Sequence, residues 1–435
     1  MLTTIRNAWK IPDLRKKIIF TFVVLLLYRL GNVIPVPFVN TKTMTEWFDS
    51  PQMQNSILGL FNVMSGSAFS RATLFALSIQ PYINASIIIQ LLTIAIPALE
   101  RLSKDGGEEG KKKIEKITRY TTVGLGLLMG FAYWMMLKNS NASMNNLLLY
   151  QEGFLPAITV ILAFTAGSTL VMWLGEQITE FGIGNGISII LFANIVSRLP
   201  VMVMTLIKGM IDDFKGYWYV AVVAIVGIIA LIMFIVFITN AERRIPVSYA
   251  KRVVGRKVYG GQNTFLPIKV NMSGVLPIIF AQSVATLPAT IAAFTGKATN
   301  SNPWYRYAWS NTSVVYLVVY MILIIAFSYF YSTIQYNPIE ISNNLRKNGG
   351  FIPGYRPGRP TSDFIKRVIG KITLFGAIYL GIVAILPILV GMINNKFAAM
   401  AVGGTSVIIV VGVALETVQA IEAQMLMRHY KGFLE

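Results

Sequence analysis

The apolar residues of this chain fall into long runs that are separated by shorter polar segments. A helix that crosses a membrane needs about 20 mainly apolar residues, and ten runs are long enough. They lie at Ile18–Phe38, Ala72–Pro97, Arg119–Leu137, Phe154–Leu174, Ile183–Leu199, Tyr217–Thr239, Ser273–Phe294, Ser313–Gln335, Val368–Ile393 and Val402–Gln424. The pattern therefore predicts an all-α polytopic membrane protein with ten transmembrane helices.

A further apolar stretch, ILGLFNVMSGSAF at Ile57–Phe69, is too short to cross a membrane. It also carries Asn62, Ser65 and Gly66. Irregular or polar backbone is tolerated at membrane depth only where protein or water shelters it. The sequence therefore predicts a short re-entrant segment that is surrounded by the other helices.

Composition supports a membrane protein and narrows its chemistry. The 435 residues are 54% hydrophobic and 13% charged, whereas a soluble domain carries about 25% charged residues. Cysteine is absent, and His429 is the single histidine. Thiolate metal sites, cysteine nucleophiles, disulfides and chemistry that needs several imidazoles are therefore excluded.

The net charge of +19 is distributed unevenly along the chain. If the N-terminus is cytoplasmic, 28 of the 38 Lys and Arg residues fall in segments on the cytoplasmic side. Because cytoplasmic loops carry the excess of Lys and Arg, we expect both termini on that side. The basic start followed by an apolar run resembles a signal peptide, but no small-residue cleavage site follows, so we expect an anchor helix.

The spans divide into two sets of five at an outer connection near Pro200–Gly216, which separates residues 1–200 from 201–435. Because five is odd, the second half must enter the membrane with the opposite topology, as inverted repeats do. The second span of each half contains proline and polar residues. This pattern favours a gated seam between the halves, although helix contacts in lipid also favour small and polar residues.

Signals for an enzyme are weak. Gly110-Lys111 lacks the other residues of a phosphate-binding loop, and FGIGNGIS lacks the third glycine of a dinucleotide fingerprint. Glu416 is the one acid well inside a span, and Arg29 is the comparable base. A single carboxylate does not make an aspartyl protease, so we expect Glu416 to be a structural partner or to lie near the cytoplasmic end. No catalytic residue and no cofactor is expected.

Two hydrophilic arms on the inner side, Asn240–Val270 and Tyr336–Val368, mix Lys and Arg with Pro, Gly and Tyr, which is typical of rigid protruding loops. They could serve only to orient the protein, but about 30 residues each is more than a connector needs. Basic arms with tyrosines suit an acidic protein or RNA phosphates. The third inner segment, Glu100–Thr118, is more typical of a solvated charge run.

Several motifs together resemble the SecY family of bacterial protein-conducting channels over essentially the whole chain. They are FALSIQPYINASIIIQLLT, RYTTVGLG, MWLGEQITEFGIGNGISI, RRIPVSYAKR, LPIKVNMSGVLPIIFA, NNLRKNGGFIPGYRPG and GGTSVIIVV. The resemblance implies two inverted five-helix halves around an hourglass pore. It also implies a passive channel for unfolded polypeptide in the bacterial plasma membrane, without catalytic residues.

The resemblance implies a role for each matching residue. A pore ring of apolar side chains is expected at Ile83, Ile87, Ile187, Leu191, Ile279 and Ile409. The family usually has isoleucine at these places, so Leu191 departs from it in shape. For each of these residues alone, a place in the bundle core is the competing interpretation. A plug is expected at 57–69 with Arg71 as its hinge, formed by Ile57, Leu60, Phe61, Asn62, Met64, Ser65 and Gly66.

The resemblance further implies a lateral gate through which signal sequences and membrane helices enter the lipid bilayer. Its polar residues are Asn84, Gln90, Thr93, Gln282, Ser283 and Thr286. The expected partners are the SecA motor ATPase, the ribosome and small membrane subunits of the SecE and SecG type. The motor or ribosome is expected to dock on Arg243, Arg244, Lys251, Arg252 and Arg356. An ion-coupled small-solute transporter is the alternative, and it predicts a polar pocket at mid-membrane instead of aliphatic side chains.

Overall fold

The computed structural model is predominantly helical. It describes residues 2–49, 57–104, 106–143, 148–151, 153–212, 214–249, 252–254, 257–259, 263–272, 274–294, 313–393 and 398–431. The helices are α1 Leu2–Lys10, α2 Pro12–Gly31, α3 Thr41–Asp49, α4 Ile57–Met64, α5 Gln80–Ala95, α6 Pro97–Lys104, α7 Gly107–Ser143, α8 Phe154–Phe181, α9 Gly186–Val196, α10 Leu199–Asp212, α11 Phe214–Asn240, α12 Leu276–Phe294, α13 Val314–Gln335, α14 Pro338–Lys347, α15 Arg359–Ile393 and α16 Ala398–Lys431.

Each of the ten predicted spans contains a helix in the described part of the chain, namely α2, α5, α7, α8, α9, α11, α12, α13, α15 and α16. By length and hydropathy alone, five described helices can cross a membrane, and the bent pair α5–α6 makes a sixth candidate. Other helices, such as α9 and α12, contribute shorter apolar stretches. The ten-helix arrangement agrees with the prediction, although several helices are too short to cross a bilayer by themselves.

Some boundaries differ from the prediction for local reasons. The second span begins as a helix only at Gln80, because the preceding residues form turns in which Ala72 and Ser78 have φ of +45° and +49°. Proline fits the first turn of a helix, and Pro81 occupies that place in α5. The predicted outer connection near 200–216 is itself largely helical, since α10 and α11 run through it.

The break between α5 and α6 follows from Pro97. The residue before a proline is disfavoured in the α conformation, and Ile96 has φ −108° and ψ 113°, which is extended. The chain therefore turns by 105° between the two helices. This turn directs α6, with its charged residues, away from the apolar α5.

The two basic arms fold together into one sheet. The strands are β1 Glu242–Tyr249, β2 Arg252–Val254, β3 Lys257–Tyr259, β4 Asn263–Lys269 and β5 Gly350–Phe351. β1 pairs antiparallel with β4 from its own arm and with β5 from the second arm, in the order β4-β1-β5. β2 and β3 form a separate two-stranded hairpin. The described part of the first arm is therefore largely β-structure, whereas the second arm contains α14 and adds only the short strand β5 to the sheet.

Alternation along β1 explains this sheet. Side chains two residues apart in a strand point to the same face, and Ile245 and Val247 are both buried. They share an apolar core with Ile352 and Ile365 of the second arm and with Ile369, which directly follows it. The second arm thereby covers one face of the hairpin of the first arm.

Polar contacts between distant segments mark one end of the helix bundle. Lys17 Nζ donates to Gln424 Oε1 at 3.4 Å, and Lys269 Nζ donates to Gln419 Oε1 at 2.7 Å. The starts of α2 and α12, the end of α16 and the sheet therefore lie together, and we call this the sheet end. The other end, which carries α3 and the residues after α4, is called the plug end.

Candidate functional site

The short helix α4 lies inside the bundle. It packs against α9, α12 and α16, which come from distant parts of the chain. Leu58, Phe61 and Met64 are buried, so the helix is enclosed rather than exposed to lipid. This placement agrees with a sheltered re-entrant segment; the side chains of Ile57 and Leu60 lie outside the described residues.

The residues after α4 form a compact turn held by its own polar side chains. Asn62 Oδ1 accepts a hydrogen bond from the Ser70 backbone N–H at 3.0 Å. Ser65 Oγ accepts one from the Phe69 N–H at 3.0 Å, and the Ser67 N–H donates to the Asn62 carbonyl at 2.9 Å. Helix and turn are thereby joined into a single unit, which we call the plug (57–70).

Aromatic contacts fix the outer side of the plug. Tyr133 Oη donates to the Phe69 carbonyl at 2.7 Å, and the two rings meet edge to face with centroids 4.7 Å apart. Phe48 of α3 contacts Phe69 at 5.6 Å. Phe69 therefore joins the plug to α3 and α7, and Leu58 and Phe61 of α4 lie in the same apolar cluster. Arg71, the predicted hinge, is exposed at the rim of an open pocket that also includes Lys42 and Glu46.

The structure brings the six predicted ring residues into one apolar cluster. Ile83, Ile87, Leu191, Ile279 and Ile409 are each at most 4% exposed and belong to this cluster, and the partly buried Ile187 packs against it. They come from α5, α9, α12 and α16, and Met64 of the plug belongs to the same cluster. Their role as a pore ring stays a prediction.

Little empty space separates the plug from these helices. A cavity of about 20 Å³ lies between Phe61, Met64 and Leu191, among other residues. A single water needs about 10–15 Å³ of such volume. The plug and the apolar cluster are therefore in close contact around Met64 and Leu191.

The predicted gate residues lie on helices that face one another. α12 contacts α5 and α7 on one side and α13 on the other, and we call the boundary of α5 and α7 with α12 and α13 the gate seam. Gln90 of α5 accepts a hydrogen bond at Oε1 from Tyr331 Oη of α13 at 2.7 Å, which crosses this seam. Gln90 Nε2 also donates to Ser86 Oγ at 3.3 Å. Tyr331 is a seam residue that the sequence did not indicate.

The other predicted gate residues make mostly local contacts. Thr93 and Thr286 donate to backbone carbonyls of their own helices, at Ile89 and Ser283. Asn84 is half-buried. Within the described ranges, buried Gln282 Oε1 and Ser283 Oγ have no hydrogen-bond partner.

An aromatic group joins α12 and α13 on one side of the seam, next to these polar residues. Phe280 of α12 lies 5.2 Å from the Tyr331 ring and 6.1 Å from the Phe327 ring, measured between centroids. Such ring pairs add stability beyond their buried area. α12 and α13 therefore form one unit opposite α5.

The predicted docking residues lie at the sheet end. Arg243 and Arg244 are exposed on β1, where Arg244 Nε donates to Glu242 Oε1 at 2.7 Å. Lys251 and the side chain of Arg252 lie outside the described residues. The sheet thus presents positive charge to solvent.

Arg356 is presented by a structured tip. Gly354 and Gly358 on either side have φ of +87° and +107°, which favour glycine. Thr361 Oγ1 donates to the Arg356 carbonyl at 2.8 Å, so the backbone is held while the side chain stays exposed. Tyr355 stacks on Phe364 at 4.2 Å and fixes the base of the tip.

Glu416 lies near the sheet end, next to the segment that precedes α12. The carboxylate adjoins Gly274, just before α12, and a Cβ at Gly274 would lie 2.5 Å from Glu416 Oε1. Gly274 also has a φ of +63°. A negative group close to a helix start is favourable.

The fold matches solved protein-conducting channels. The structure of a protein-conducting channel aligns with a TM-score of 0.68 at 18% identity, covering 94% of this chain and 92% of that one. A SecY protein whose plug domain is described as stabilising the closed state and maintaining a membrane seal aligns at 0.64 with 18% identity and the same coverage. The channel of the canine ribosome–channel complex from the endoplasmic reticulum aligns at 0.63 with 16% identity, again covering 94% and 92%.

The apolar helices that enclose the short buried helix α4 define the class: a multi-pass membrane protein. The sequence comparisons specify it further. A SecY family model matches residues 73–418. The protein translocase subunits SecY of Streptomyces scabiei and Thermotoga maritima are each 41% identical to this chain over its whole length. The alignments cover 100% of the Streptomyces protein and 98% of the Thermotoga protein. The chain belongs to the SecY family. It is a protein-conducting channel, and nothing in these comparisons supports the small-solute transporter alternative.

Proposed function

We propose that this chain conducts unfolded secretory polypeptides across the bacterial plasma membrane and releases transmembrane helices sideways into the bilayer. The observation that carries the proposal is the plug seated on an apolar cluster built from α5, α9, α12 and α16. A channel for polypeptide must close tightly at rest and must widen without binding any one sequence. Aliphatic side chains around a removable plug meet both demands.

The pore lies between two halves, residues 1–200 and 201–435. The contacts across the halves include one region where α5 and α7 meet α12, and another where α1 and α9 meet α16. Parting the first region while keeping the second opens the bundle on one side. The gate seam is therefore the side through which signal sequences and membrane helices reach lipid.

The ring works by shape and dewetting. Hydrophobic constrictions exclude water and ions when narrow, and isoleucine and leucine can change rotamer to fit a passing chain. Ile83 and Ile87 from the first half and Ile279 and Ile409 from the second belong to one buried cluster. Sequence-independent passage follows because these side chains offer no hydrogen bonds to discriminate between substrates.

Opening of the seam exchanges protein contacts for water. The Tyr331–Gln90 hydrogen bond must break, and both groups can be hydrated in the open state. Gln282 Oε1 and Ser283 Oγ, which are buried without a partner among the described residues, become accessible to water. The polar residues therefore reduce the difference in free energy between the closed and open gate.

The basic sheet end faces the cytoplasm and docks a partner that supplies energy. The excess of Lys and Arg favours this orientation, with both termini inside. SecA or the ribosome is the partner for Arg243, Arg244, Lys251, Arg252 and Arg356, and a related solved channel is ribosome-bound. Small subunits of the SecE and SecG type complete the assembly.

A transport assay tests this function. The chain is reconstituted in vesicles with SecE- and SecG-type subunits, and SecA, ATP and a radiolabelled secretory precursor are added. We expect precursor to become protected from external protease only when all components are present. A chain that protects no precursor but accumulates a small solute against an ion gradient would contradict the proposal.

A further inference from the structure

One buried polar residue joins the plug to the wall of the bundle. Asn194 lies on α9, one turn beyond Leu191, and is 0% exposed. Its Nδ2 lies 2.9 Å from the carbonyl oxygen of Met64, the last residue of α4, and 2.8 Å from Tyr28 Oη. Ser78 Oγ lies 3.3 Å from both Asn194 Nδ2 and Tyr28 Oη. Segments from four parts of the chain therefore meet at one amide.

Arg29 stands beside this amide. Its Nη2 donates to the Ala193 carbonyl at 2.7 Å. Its Nη1 faces the turn after α4, where a Cβ on Gly66 would lie 3.2 Å from Nη1 and 3.0 Å from Asn194 Oδ1. Gly66 has a φ of +64°, so the chain reverses tightly between the two side chains.

These contacts match what the end of α4 requires. The last carbonyl groups of a helix have no partner within it, and positive charge is favourable near this end. Asn194 supplies a donor to the Met64 carbonyl, and Arg29 supplies the charge. Neither group belongs to the apolar ring or to the gate seam.

We propose that Asn194, with Tyr28, Ser78 and Arg29, forms a latch that holds the plug in the closed channel. Asn194 is a positioning residue, and the inference rests on the proposed function of 57–70 as a plug. The latch is built to release: Asn194 Oδ1 is buried and has no partner within the described part of the chain. When the plug leaves, water reaches this oxygen as well as the donors that the plug gave up.

The latch is tested by the accessibility of the plug. Because the chain has no cysteine, Val63→Cys places a single thiol on α4. The full chain is reconstituted with its small subunits, and two quantities are measured without precursor: alkylation of this thiol from the plug end and the passive flux of ions. Each is compared in the parent and in Asn194→Leu, which removes the donor at similar volume.

Tyr28→Phe is a second variant that keeps the packing, including the stack on Phe75 with centroids 5.5 Å apart. Thr373→Val is the control, because it removes a buried 2.8 Å hydrogen bond to Ser332 far from the plug. We expect alkylation and ion flux to rise about 3- to 18-fold in Asn194→Leu, which is the range that follows from the energies of hydrogen bonds between membrane helices. The rise in Tyr28→Phe should be smaller. Thr373→Val should match the parent.

A reference chain in which residues 57–64 are replaced by glycine and serine separates the possible failures. If this chain leaks while Asn194→Leu and Tyr28→Phe match the parent, the latch is overturned and the plug assignment stands. If the reference chain leaks no more than the parent, the plug assignment fails, and the latch fails with it.

Discussion

The hydrogen bond between Tyr331 and Gln90 offers the sharpest test of the gate seam. It joins α13 to α5 over 2.7 Å and must break when the seam opens. Tyr331→Phe removes the hydroxyl and keeps the ring in its contacts with Phe280 and Phe330. Because this substitution removes a contact that exists only in the closed state, it shifts the equilibrium between closed and open gate toward the open gate.

The size of the shift follows from the energy of one hydrogen bond. Hydrogen bonds between membrane helices contribute about 0.6 kcal/mol on average and up to about 1.7 kcal/mol. With RT near 0.59 kcal/mol, removal raises the ratio of open to closed gate about 3- to 18-fold. Where the open state is the minor one, the apparent Kd of a ligand that binds only this state falls by the same factor.

A labelled signal peptide serves as that ligand. Its binding to the reconstituted channel is followed by fluorescence anisotropy, and we expect the apparent Kd to fall about 3- to 18-fold in Tyr331→Phe. Tyr329→Phe is the matched control, since its hydroxyl donates to the Gly370 carbonyl at 3.2 Å on the far side of α13. The double variant with Gln90→Ala should add little to either single change. Equal Kd values in Tyr331→Phe and Tyr329→Phe would refute this account of the seam.

Three further predictions concern docking and packing. Arg356→Glu should abolish SecA-driven transport while the circular dichroism spectrum stays unchanged. The same charge change at Lys138, which is exposed near the plug end of α7, should leave transport intact. Normal transport in Arg356→Glu would exclude the tip as a docking site. Ribosome binding measured by co-sedimentation should weaken on the order of a hundredfold between 0.05 and 0.2 M salt, as about five phosphate contacts imply, and salt-independent binding would count against the basic surface. Gly167→Ala should destabilise the protein by about 1–3 kcal/mol, because its Cβ would overlap the Leu74 carbonyl oxygen. The control Gly124→Ala, whose Cβ would meet no atom of the described residues within 4 Å, should unfold in detergent at the same temperature as the parent. Equal unfolding temperatures of the two variants would contradict this packing.

The arrangement of spans could be predicted from the sequence because membrane helices need a continuous apolar stretch. The buried position of α4 could also be predicted from the sequence. Its length excludes a crossing, and Asn62 and Ser65 require shelter, which the structure supplies through their bonds to the turn at 67–70. The prediction of two long arms also followed from charge and length.

Contacts between distant segments could not be predicted in the same way. Asn194 interrupts the apolar run ISIILFANIV, and this polar residue inside a span was a signal for a buried partner, but its partners lie far away in sequence. Tyr331 gave no signal, since tyrosine is common in these spans. The sheet was missed because proline and glycine in both arms favoured loops, although Ile245 and Val247 alternate as in a strand.

The central claim is that polypeptide passes through the apolar cluster beneath the plug. A secretory precursor is stalled in transit, and a photoreactive residue is placed in turn at positions 83, 87, 187, 279 and 409. Leu27, which is exposed on the outside of α2, is the control. We predict precursor adducts from the five cluster positions and none from Leu27. Adducts that are missing at all five positions would contradict the channel account.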